Sequence, residues 1–556
     1  MPTIEIDLND LEKLIGKKLP TAQEELEELF MFVKGEIDKK ENNKVWLDIK
    51  ETNRPDLWSS EGIARELKAK LGIEKGLPKY QIKKSNIELF IEKSVEQSRP
   101  FIAAAIARNI KFSDEFLKQM IQLQEKVAHT FGRKRKEAAI GLYDFDKMTP
   151  PIYYRGYKNE QIEFIPLGWK VKMKPKEILQ EHEKGKEFKT LLEGVEKFPI
   201  VIDSKQVVAS MPPIINSEAT GKITEKTKNV FVEVTGFKWE VVQTALNVMV
   251  MALADRGAEI EAVKIHFPHS KVYPKKTVLT PEFKTSKMLL NFDMVKKIAG
   301  FTLSNEKIIQ LLKRSRFDIK MKKRNKAEVI FPSYRQDIIH AIDLVEDILI
   351  SYGYNKIEPL KIELAVIGDE LPKSKKLRLV REVCLGMSLQ EILQFTLTSR
   401  EIQEKKMNLS EQEFVEIANP VTLSRSIFRK SIIPETLEFF AKNKSATYPQ
   451  KIFEVGKTFE LDEKAENKVS EKNKLCVALT KSALDFTEIK SYLEAYSKTV
   501  GYKYSLRSLK HPSFIEGRAA EILEEGNRKG IIGEIHPSVL QNFGLVNPVA
   551  LFEIEV

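Results

Sequence analysis

Apolar and polar residues alternate along several short stretches of the chain, the pattern of a β-strand with one buried face. Residues 45–49 alternate in this way and predict a strand, and residues 53–57 follow with proline and aspartate in turn positions. From Ser59 the chain offers hydroxyl N-caps and an acid in the first turn, which predicts a helix ending near Gly72. We therefore predict a small α/β unit at residues 1–85.

The middle of the chain alternates between strand-like and helical segments, as is typical of a mixed α+β domain. Helical periodicity is present at residues 114–129 and 241–253. Strand character is present at residues 100–109, 138–143, 198–203, 207–216 and 229–236. The predicted domain covers residues 86–275.

Two further domains are predicted in the second half of the chain. In residues 276–358 two helical segments flank a strand at 327–332, and in residues 359–556 strands again alternate with helices. The length of 556 residues agrees with a protein of several domains. The predicted fold class is therefore multidomain α+β.

The most informative helix is predicted just before Gly353, a residue suited to ending a helix. Its apolar stripe has a 4-3-4-3 spacing and consists of Ile338, Ile342, Val345, Leu349 and Tyr352. Asp343, Glu346 and Asp347 lie off this stripe, and Asp337 lies about one and a half turns before Asp343.

These four acids permit two interpretations. Carboxylates at positions i, i+3 and i+4 with a fourth nearby supply the oxygen ligands that Mg²⁺ prefers. Acids on the outer face of a helix, one of them near its positive end, are also common as solvated residues without a metal. The residues alone leave both interpretations open.

Composition narrows the class of protein. A net charge of +11 favours a polyanionic partner, although a surface rich in Lys and Glu is also typical of heat-adapted proteins. The first residues lack the features of a secretory signal and no stretch approaches the length of a membrane span, so a cytoplasmic protein without membrane contact is expected. Cys384 and Cys476 have no metal-site spacing and are expected to be buried thiols.

Several motifs occur in a characteristic order along the chain. They are Asn53-Arg54-Pro55-Asp56-Leu57 with Ser60-Glu61-Gly62, the segment from Pro332 to Asp347, the segment from Asn419 to Arg429, Phe453-Glu454-Val455-Gly456, and Gly533-Glu534-Ile535-His536-Pro537. Together they resemble the beta subunit of phenylalanine-tRNA ligases. The chain ends at Val556 without the anticodon-binding extension of the bacterial type, so the archaeal or eukaryotic cytosolic type is expected.

The resemblance implies an N-terminal α/β domain, a B3/B4-like editing domain, a B5-like domain, and a class II synthetase-like antiparallel-sheet domain without catalytic motifs. It implies a Mg²⁺ site formed by Asp337, Asp343, Glu346 and Asp347. It also implies an alpha subunit as partner in an alpha2beta2 heterotetramer with tRNA(Phe). ATP and phenylalanine are then expected to bind to the alpha subunit.

The resemblance further implies an editing site that hydrolyses mischarged tyrosyl-tRNA, with Ser210, Glu233 and Thr235 at its functional positions. A carboxylate and hydroxyls select a phenol by hydrogen bonding and orient a water at the ester. Periodicity alone favours a simpler interpretation, in which Glu233 and Thr235 are polar residues on the outer face of a half-buried strand. Similar archaeal sequences carry aspartate where this chain has Glu233, a side chain longer by one methylene group.

Two other functions remain possible from the sequence. A free-standing aminoacyl-tRNA hydrolase would act without an alpha subunit. A non-catalytic RNA-binding assembly protein would bind tRNA without selecting an amino-acid side chain.

Overall fold

The computed structural model describes residues 2–273, 276–362 and 366–556. The chain divides into two units, Met1–Leu360 and Lys361–Val556. Within the described residues, no helix combines the length and the apolar character needed to cross a membrane.

The first unit begins with a three-stranded antiparallel sheet and three helices. These elements are β1 (Thr3–Asp7), α1 (Leu8–Ile15), α2 (Gln23–Met31), β2 (Gly35–Glu41), β3 (Lys44–Ile49) and α3 (Ser60–Lys70). The strand order is β1-β3-β2. The predicted strand at 45–49 is confirmed, and so is the N-cap of α3, because Ser59 Oγ accepts the N–H of Gly62 at 3.2 Å.

The first sequence motif is a tightly packed turn at the start of α3. The Arg54 guanidinium donates two hydrogen bonds to the carboxylate of Asp56, at 2.8 and 2.7 Å, and both residues are buried. A Cβ at Gly62 would overlap the main-chain oxygen of Asp56. The motif therefore combines an internal ion pair with the one residue type that lets the turn approach the helix.

An eleven-stranded sheet follows. Its strands and helices are β4 (Ile82–Lys83), β5 (Glu88–Ile91), β6 (Phe101–Arg108), α4 (Asp114–Lys126), β7 (Ala138–Asp144), β8 (Ile152–Tyr157), α5 (Pro175–Glu181), α6 (Glu183–Phe188), β9 (Phe198–Ile202), β10 (Val208–Met211), β11 (Ile215–Asn216), β12 (Val230–Gly236), α7 (Trp239–Asp255), β13 (Glu259–His266) and β14 (Thr277–Thr280). The main order is β11-β10-β9-β8-β5-β13-β6-β12-β7, and β4 and β14 also pair with β13. The other strands and the helices predicted here are confirmed, but the segment predicted as a strand at 207–216 is an antiparallel hairpin of β10 and β11 with a turn between them.

The sheet is buried on both faces around β12. Even-numbered residues of β12 belong to the core that includes α4 and α7, whereas Phe231 belongs to a second core with Tyr143 and Val201. All seven residues of β12 are buried. The interpretation of β12 as a half-buried strand with a polar outer face is therefore wrong.

The last part of the first unit is a three-stranded sheet with three helices. These elements are β15 (Ser286–Asn291), α8 (Phe292–Ala299), α9 (Asn305–Lys313), β16 (Asp318–Lys323), β17 (Lys326–Phe331) and α10 (Ala341–Tyr352). The strand order is β15-β17-β16, and the strand predicted at 327–332 is confirmed within one residue.

The predicted apolar stripe on α10 is partly wrong. The helix begins after His340, so Ile338 precedes it, and Ile342 is 47% exposed. The buried face instead includes Leu344 and Ile348, because α10 packs against α8 and α9 through a rotated face. Asp347, expected on the solvated side, is buried as well.

The second unit is built on a seven-stranded sheet. Its elements are α11 (Pro372–Gly386), β18 (Gln390–Glu391), β19 (Leu397–Thr398), α12 (Arg400–Gln403), β20 (Ile427–Phe428), α13 (Ile433–Lys442), β21 (Gln450–Leu461), β22 (Val469–Thr480), α14 (Phe486–Val500), β23 (Ser505–Ser508), β24 (Phe514–Glu524), β25 (Asn527–Ile535), α15 (Pro537–Asn542) and β26 (Val549–Glu555). The order is β18-β21-β22-β26-β25-β24-β23, antiparallel except for the pair β18–β21. Helices α11 and α14 contribute to the core on one face, and α13 and α15 contribute to the core on the other.

This sheet confirms the predicted antiparallel α+β architecture. Cys384 and Cys476 are free and buried, one in each of the two cores, as expected from their spacing. Burial raises the pKa of the Cys384 thiol to about 12, so this thiol is inert as a nucleophile near neutral pH.

Candidate functional site

Glu233 occupies the centre of β12, in register with Ala104 of β6 and Gly141 of β7. Both neighbours are small, and this leaves room for a long side chain on that face of the sheet. The Glu233 side chain is buried there, only 2% exposed. A carboxylate in such surroundings is costly unless polar groups contact it.

Two such groups form a chain with Glu233. Tyr143 Oη lies 2.8 Å from Glu233 Oε1 and 2.7 Å from Ser210 Oγ, and all three residues are buried. A phenol has one hydrogen to donate. With an ionised Glu233, Tyr143 therefore donates to the carboxylate and accepts from the Ser210 hydroxyl.

Gly141 makes this chain possible. A Cβ at Gly141 would overlap the hydroxyl of Tyr143 and would press on Glu233 Oε1. The residue opposite Glu233 must therefore lack a side chain. The predicted strand at 138–143 contains this glycine and Tyr143, but nothing in the alternation of the strand marks either as functional.

Ser210 and Glu233 line a cavity of about 190 Å³. Other polar residues on its wall are Gln124, Glu125, Arg135, Lys184 and Asn216. The second carboxylate oxygen, Glu233 Oε2, is buried and makes no hydrogen bond among the described residues. A residue on the cavity wall thus keeps one unpaired acceptor oxygen, and such an acceptor favours a ligand with a hydrogen-bond donor at its tip.

The environment leaves the Glu233 carboxyl divided between its protonated and ionised forms near neutral pH. Burial raises the pKa of its carboxyl to about 7, while the Tyr143 hydrogen bond and the positive charge of Arg99 oppose this rise. Burial also raises the pKa of the Tyr143 phenol well above its usual range, so this hydroxyl keeps its proton.

Thr235 has a different environment from the other two predicted residues. It is fully buried, and among the described residues it is not part of the cavity wall. Arg99 Nε donates to Thr235 Oγ1 at 2.9 Å, and the same guanidinium donates to the main-chain oxygens of Arg135 and Lys136 at 3.0 Å. The structure therefore brings Ser210 and Glu233 together and connects Thr235 to the loop that carries Arg135.

That loop has an unusual backbone. Arg133, Lys134 and Arg135 have φ values of 48°, 53° and 66°, a conformation that residues with side chains rarely adopt in succession. Arg135 Nη1 donates to the main-chain oxygens of Pro213 and Ile214, at 3.2 and 2.8 Å. In the sequence, residues 133–136 are four consecutive basic residues, and they indicate only an affinity for a polyanion. The structure places one of them, Arg135, on the cavity wall.

Two amide side chains, Gln124 of α4 and Asn216 of β11, also line the cavity. Gln124 Nε2 donates to the main-chain oxygen of Ile140 at 2.7 Å, and Asn216 Nδ2 donates to that of Leu142 at 3.2 Å. Each amide is thereby held against β7 and keeps its side-chain oxygen as an acceptor. The sequence analysis did not assign a role to either residue.

The four acids of the predicted Mg²⁺ site are engaged elsewhere. Arg335 donates to Asp337 through Nε at 2.9 Å and through Nη2 at 2.7 Å, and Nη2 also bonds Asp347. Glu346 forms an ion pair with Lys34 at 2.7 Å.

Asp343 acts as a helix cap. Its Oδ2 accepts the main-chain N–H groups of Ile339 and His340 at 2.8 and 2.7 Å, which completes a capping box at the start of α10. Across the described residues, no three His, Cys, Asp or Glu side chains converge in a way that could hold a metal ion. The acids as arranged do not fit a Mg²⁺ site, and the metal assignment stays a prediction.

An Asp343→Ala substitution separates the two roles. We expect a loss of about 1 kcal/mol in the free energy of unfolding, because the cap of α10 is lost. The loss should be equal in EDTA and in Mg²⁺, as measured by chemical denaturation of the full chain. A loss that appears only when Mg²⁺ is present would support the metal site instead.

Comparisons with known proteins agree along the whole chain. Three family models match: the phenylalanyl tRNA synthetase beta chain CLM domain at residues 358–556, the tRNA synthetase B5 domain at 288–354 and the B3/4 domain at 99–261. The phenylalanine–tRNA ligase beta subunit of Pyrococcus horikoshii is 45% identical over 558 residues, which cover 100% of this chain and 99% of that protein. The beta subunit of Methanocaldococcus jannaschii is 38% identical over 560 residues, which cover 100% of both chains.

A solved structure is also similar. The crystal structure of an N-terminal fragment of the phenylalanyl-tRNA synthetase beta subunit from Pyrococcus horikoshii superposes with a TM-score of 0.60 at 45% identity. The match covers 64% of this chain and 100% of the fragment.

Proposed function

Since this chain belongs to the family of phenylalanine–tRNA ligase beta subunits, we propose that it supports the ATP-dependent joining of phenylalanine to its tRNA by an alpha subunit. The observation that carries this proposal is the match over the full length of relatives with that name. The proposed assembly is an alpha2beta2 heterotetramer in the cytoplasm, with tRNA(Phe) bound across it. ATP and phenylalanine bind to the alpha subunit in this proposal.

The proposed domains follow the sheets. The boundary predicted between 85 and 86 falls inside the large sheet, because β4 (Ile82–Lys83) pairs with β13. We propose an N-terminal domain that ends before β4, a B3/B4 domain from 82, a B5 domain and a synthetase-like domain at 359–556. The boundary predicted between 275 and 276 falls inside the large sheet, because β14 (Thr277–Thr280) pairs with β13. We therefore propose that the B3/B4 domain extends to 280.

A second activity proposed for this chain is hydrolysis of tyrosyl-tRNA in the cavity. The supporting observation is that Glu233, which lines the cavity, has a buried carboxylate oxygen, Oε2, without a hydrogen-bond partner among the described residues. A tyrosyl side chain entering the cavity places its phenol against Glu233 and Ser210. A phenylalanyl side chain leaves the carboxylate oxygen unpaired, and a site with such a group discriminates strongly against the ligand that lacks the donor.

In this geometry, the residues that recognise the tyrosine phenol differ from those that act at the ester bond. The length of the tyrosine side chain separates the phenol from the ester, so Glu233 cannot contact both. We propose that the amide oxygens of Gln124 and Asn216 hold the attacking water. The water oxygen forms a bond to the carbonyl carbon of the ester, and the bond between that carbon and the ribose oxygen breaks. A proton from the water passes to the ribose oxygen, and the products are free tyrosine and tRNA.

Magnesium has no step in this proposal on the beta chain. Asp337, Asp343, Glu346 and Asp347 do not form a donor set, as described above. Mg²⁺ is expected with ATP as the co-substrate at the alpha subunit, because charge on transferring phosphates must be neutralised.

Aminoacylation tests the proposed subunit role. The chain alone and the chain co-expressed with the candidate alpha subunit of the same organism are compared for ATP-dependent charging of tRNA with phenylalanine. Activity only in the co-purified complex is expected. Failure to associate with the alpha subunit would favour a free-standing hydrolase or an RNA-binding protein.

Deacylation tests the proposed editing activity separately. Tyrosyl-tRNA and phenylalanyl-tRNA are presented to the purified complex without ATP, and release of each amino acid is followed. Faster release of tyrosine is expected. Equal rates for the two esters, or no release above the uncatalysed rate, would contradict the editing proposal.

A further inference from the structure

A phenol of the protein itself lies next to the cavity. Tyr143 is fully buried behind the cavity wall, and its hydroxyl contacts both residues that would recognise a substrate phenol, Ser210 and Glu233. Its ring lies beside that of Phe231, with the ring centroids 6.1 Å apart. The side chain is therefore held on both its apolar and its polar ends.

Tyr143 makes the two oxygens of the Glu233 carboxylate inequivalent. Oε1 accepts from Tyr143 at 2.8 Å, whereas Oε2 makes no hydrogen bond among the described residues. Without Tyr143 a glutamate side chain could rotate and present either oxygen to the cavity or to Ser210. With Tyr143 in place, Oε1 is occupied and Oε2 is the free acceptor.

We propose that Tyr143 is a positioning residue that presents Glu233 Oε2 to the phenol of a tyrosyl ester and so makes the cavity selective for tyrosine over phenylalanine. This inference rests on the proposed hydrolysis of tyrosyl-tRNA. Tyr143 does not contact the substrate. It acts through Glu233, and its own position depends on the absence of a side chain at Gly141.

The order of hydrogen bonds supports this role. The Ser210 hydroxyl donates to Tyr143, Tyr143 donates to Oε1, and a substrate phenol donates to Oε2. Each group in this chain uses one hydrogen, and no donor faces another donor. A phenylalanyl ring in the same place would cover Oε2 without a partner, a cost that the hydrogen bond from Tyr143 to Oε1 cannot remove.

The test is a Tyr143→Phe substitution in the assembled complex, which keeps the ring and removes the hydroxyl. A matched control is Tyr273→Phe, because Tyr273 is a buried tyrosine of the same core whose hydroxyl donates to the main-chain oxygen of Pro100 at 2.8 Å. The ratio of kcat/KM for tyrosyl-tRNA to that for phenylalanyl-tRNA is expected to fall about tenfold or more in Tyr143→Phe. Tyr273→Phe should keep the ratio of the unchanged complex.

A second measurement does not depend on editing. Glu233 faces Tyr143 of β7 and the charge of Arg99, and Glu125, Arg135 and Lys184 share its cavity wall. Burial raises the pKa of Glu233 from its usual range to about 7, so the folded chain binds the proton more tightly than the unfolded chain. Stability from this group is therefore full at acidic pH and is lost as the pH rises to about 7.

Loss of the Tyr143 hydrogen bond raises the pKa of Glu233 further, since that bond favours the ionised form. The melting temperature of full-length Tyr143→Phe should therefore continue to fall with pH above the point where the unchanged chain levels off. A ratio in Tyr143→Phe as high as that of the unchanged complex would overturn the inference, whatever the pH profile shows. A complex that shows no preference for tyrosine, but whose pH profile shifts in Tyr143→Phe, would contradict the editing proposal and leave the contact established.

Discussion

Replacing Glu233 with alanine is expected to lower the preference for tyrosyl-tRNA over phenylalanyl-tRNA by about 10- to 150-fold, because a hydrogen bond to a charged group contributes about 1.5–3 kcal/mol. The change removes Oε2, the unpaired acceptor of this cavity-lining residue, and with it the cost of covering that oxygen with a phenyl ring. Phenylalanyl-tRNA should therefore become a substrate. The measurement is kcat/KM for both esters with the assembled complex.

Two matched variants separate charge from shape at this position. Glu233→Gln keeps the length and one acceptor oxygen, so it should retain part of the preference. Since the pKa of Glu233 is about 7, the difference between the unchanged complex and Glu233→Gln should grow as the pH rises through 7. Glu233→Ala with full preference for tyrosine would exclude Glu233 from recognition.

Only part of this site can be predicted from the sequence. Ser210 and Glu233 are found through the resemblance, because each lies in a recognisable strand segment. Tyr143 is separated from Ser210 by 67 positions and from Glu233 by 90, so its contacts depend on the register of β7 against β12. Alternation predicts each strand but not which strands are neighbours.

For the acids of the B5-like region, the sequence predicts residues that are close together but not the basic residues that pair with them. Spacing on a helix predicts that Asp343, Glu346 and Asp347 are near one another, and it takes no account of cations from other elements. Arg335 comes from the loop before α10, and Lys34 comes from the N-terminal part of the chain. A spacing argument on one helix cannot include these partners.

The C-terminal motifs have a structural explanation that the sequence does not supply. Arg429 and Glu454 are both buried, and Arg429 Nη2 donates to Glu454 Oε1 at 2.7 Å. Arg429 Nε donates to the main-chain oxygen of Lys457 at 3.0 Å. A Cβ at Gly456 would overlap the Arg429 guanidinium. The motif at 453–456 therefore supplies the carboxylate and the open space that accommodate the arginine at the end of the preceding motif.

Glu454→Ala is expected to lower the free energy of unfolding by about 3–5 kcal/mol, since removing one partner of a buried ion pair leaves the other charge unpaired. Arg429 would then be buried at 1% exposure of its side chain without its carboxylate. The loss in the free energy of unfolding is measured by chemical denaturation of the full chain, with a probe that reports the unfolding of the second unit.

A double variant distinguishes the ion pair from simple packing. Glu454→Met combined with Arg429→Met replaces both charges with apolar side chains, so no buried charge is left unpaired and much of the stability should return. If Glu454→Ala alone costs less than about 1 kcal/mol, the range of an exposed ion pair, Arg429 must find other partners or water. Because the pair joins two of the motifs on which the family resemblance rests, this result would also remove the physical reason for their occurrence together.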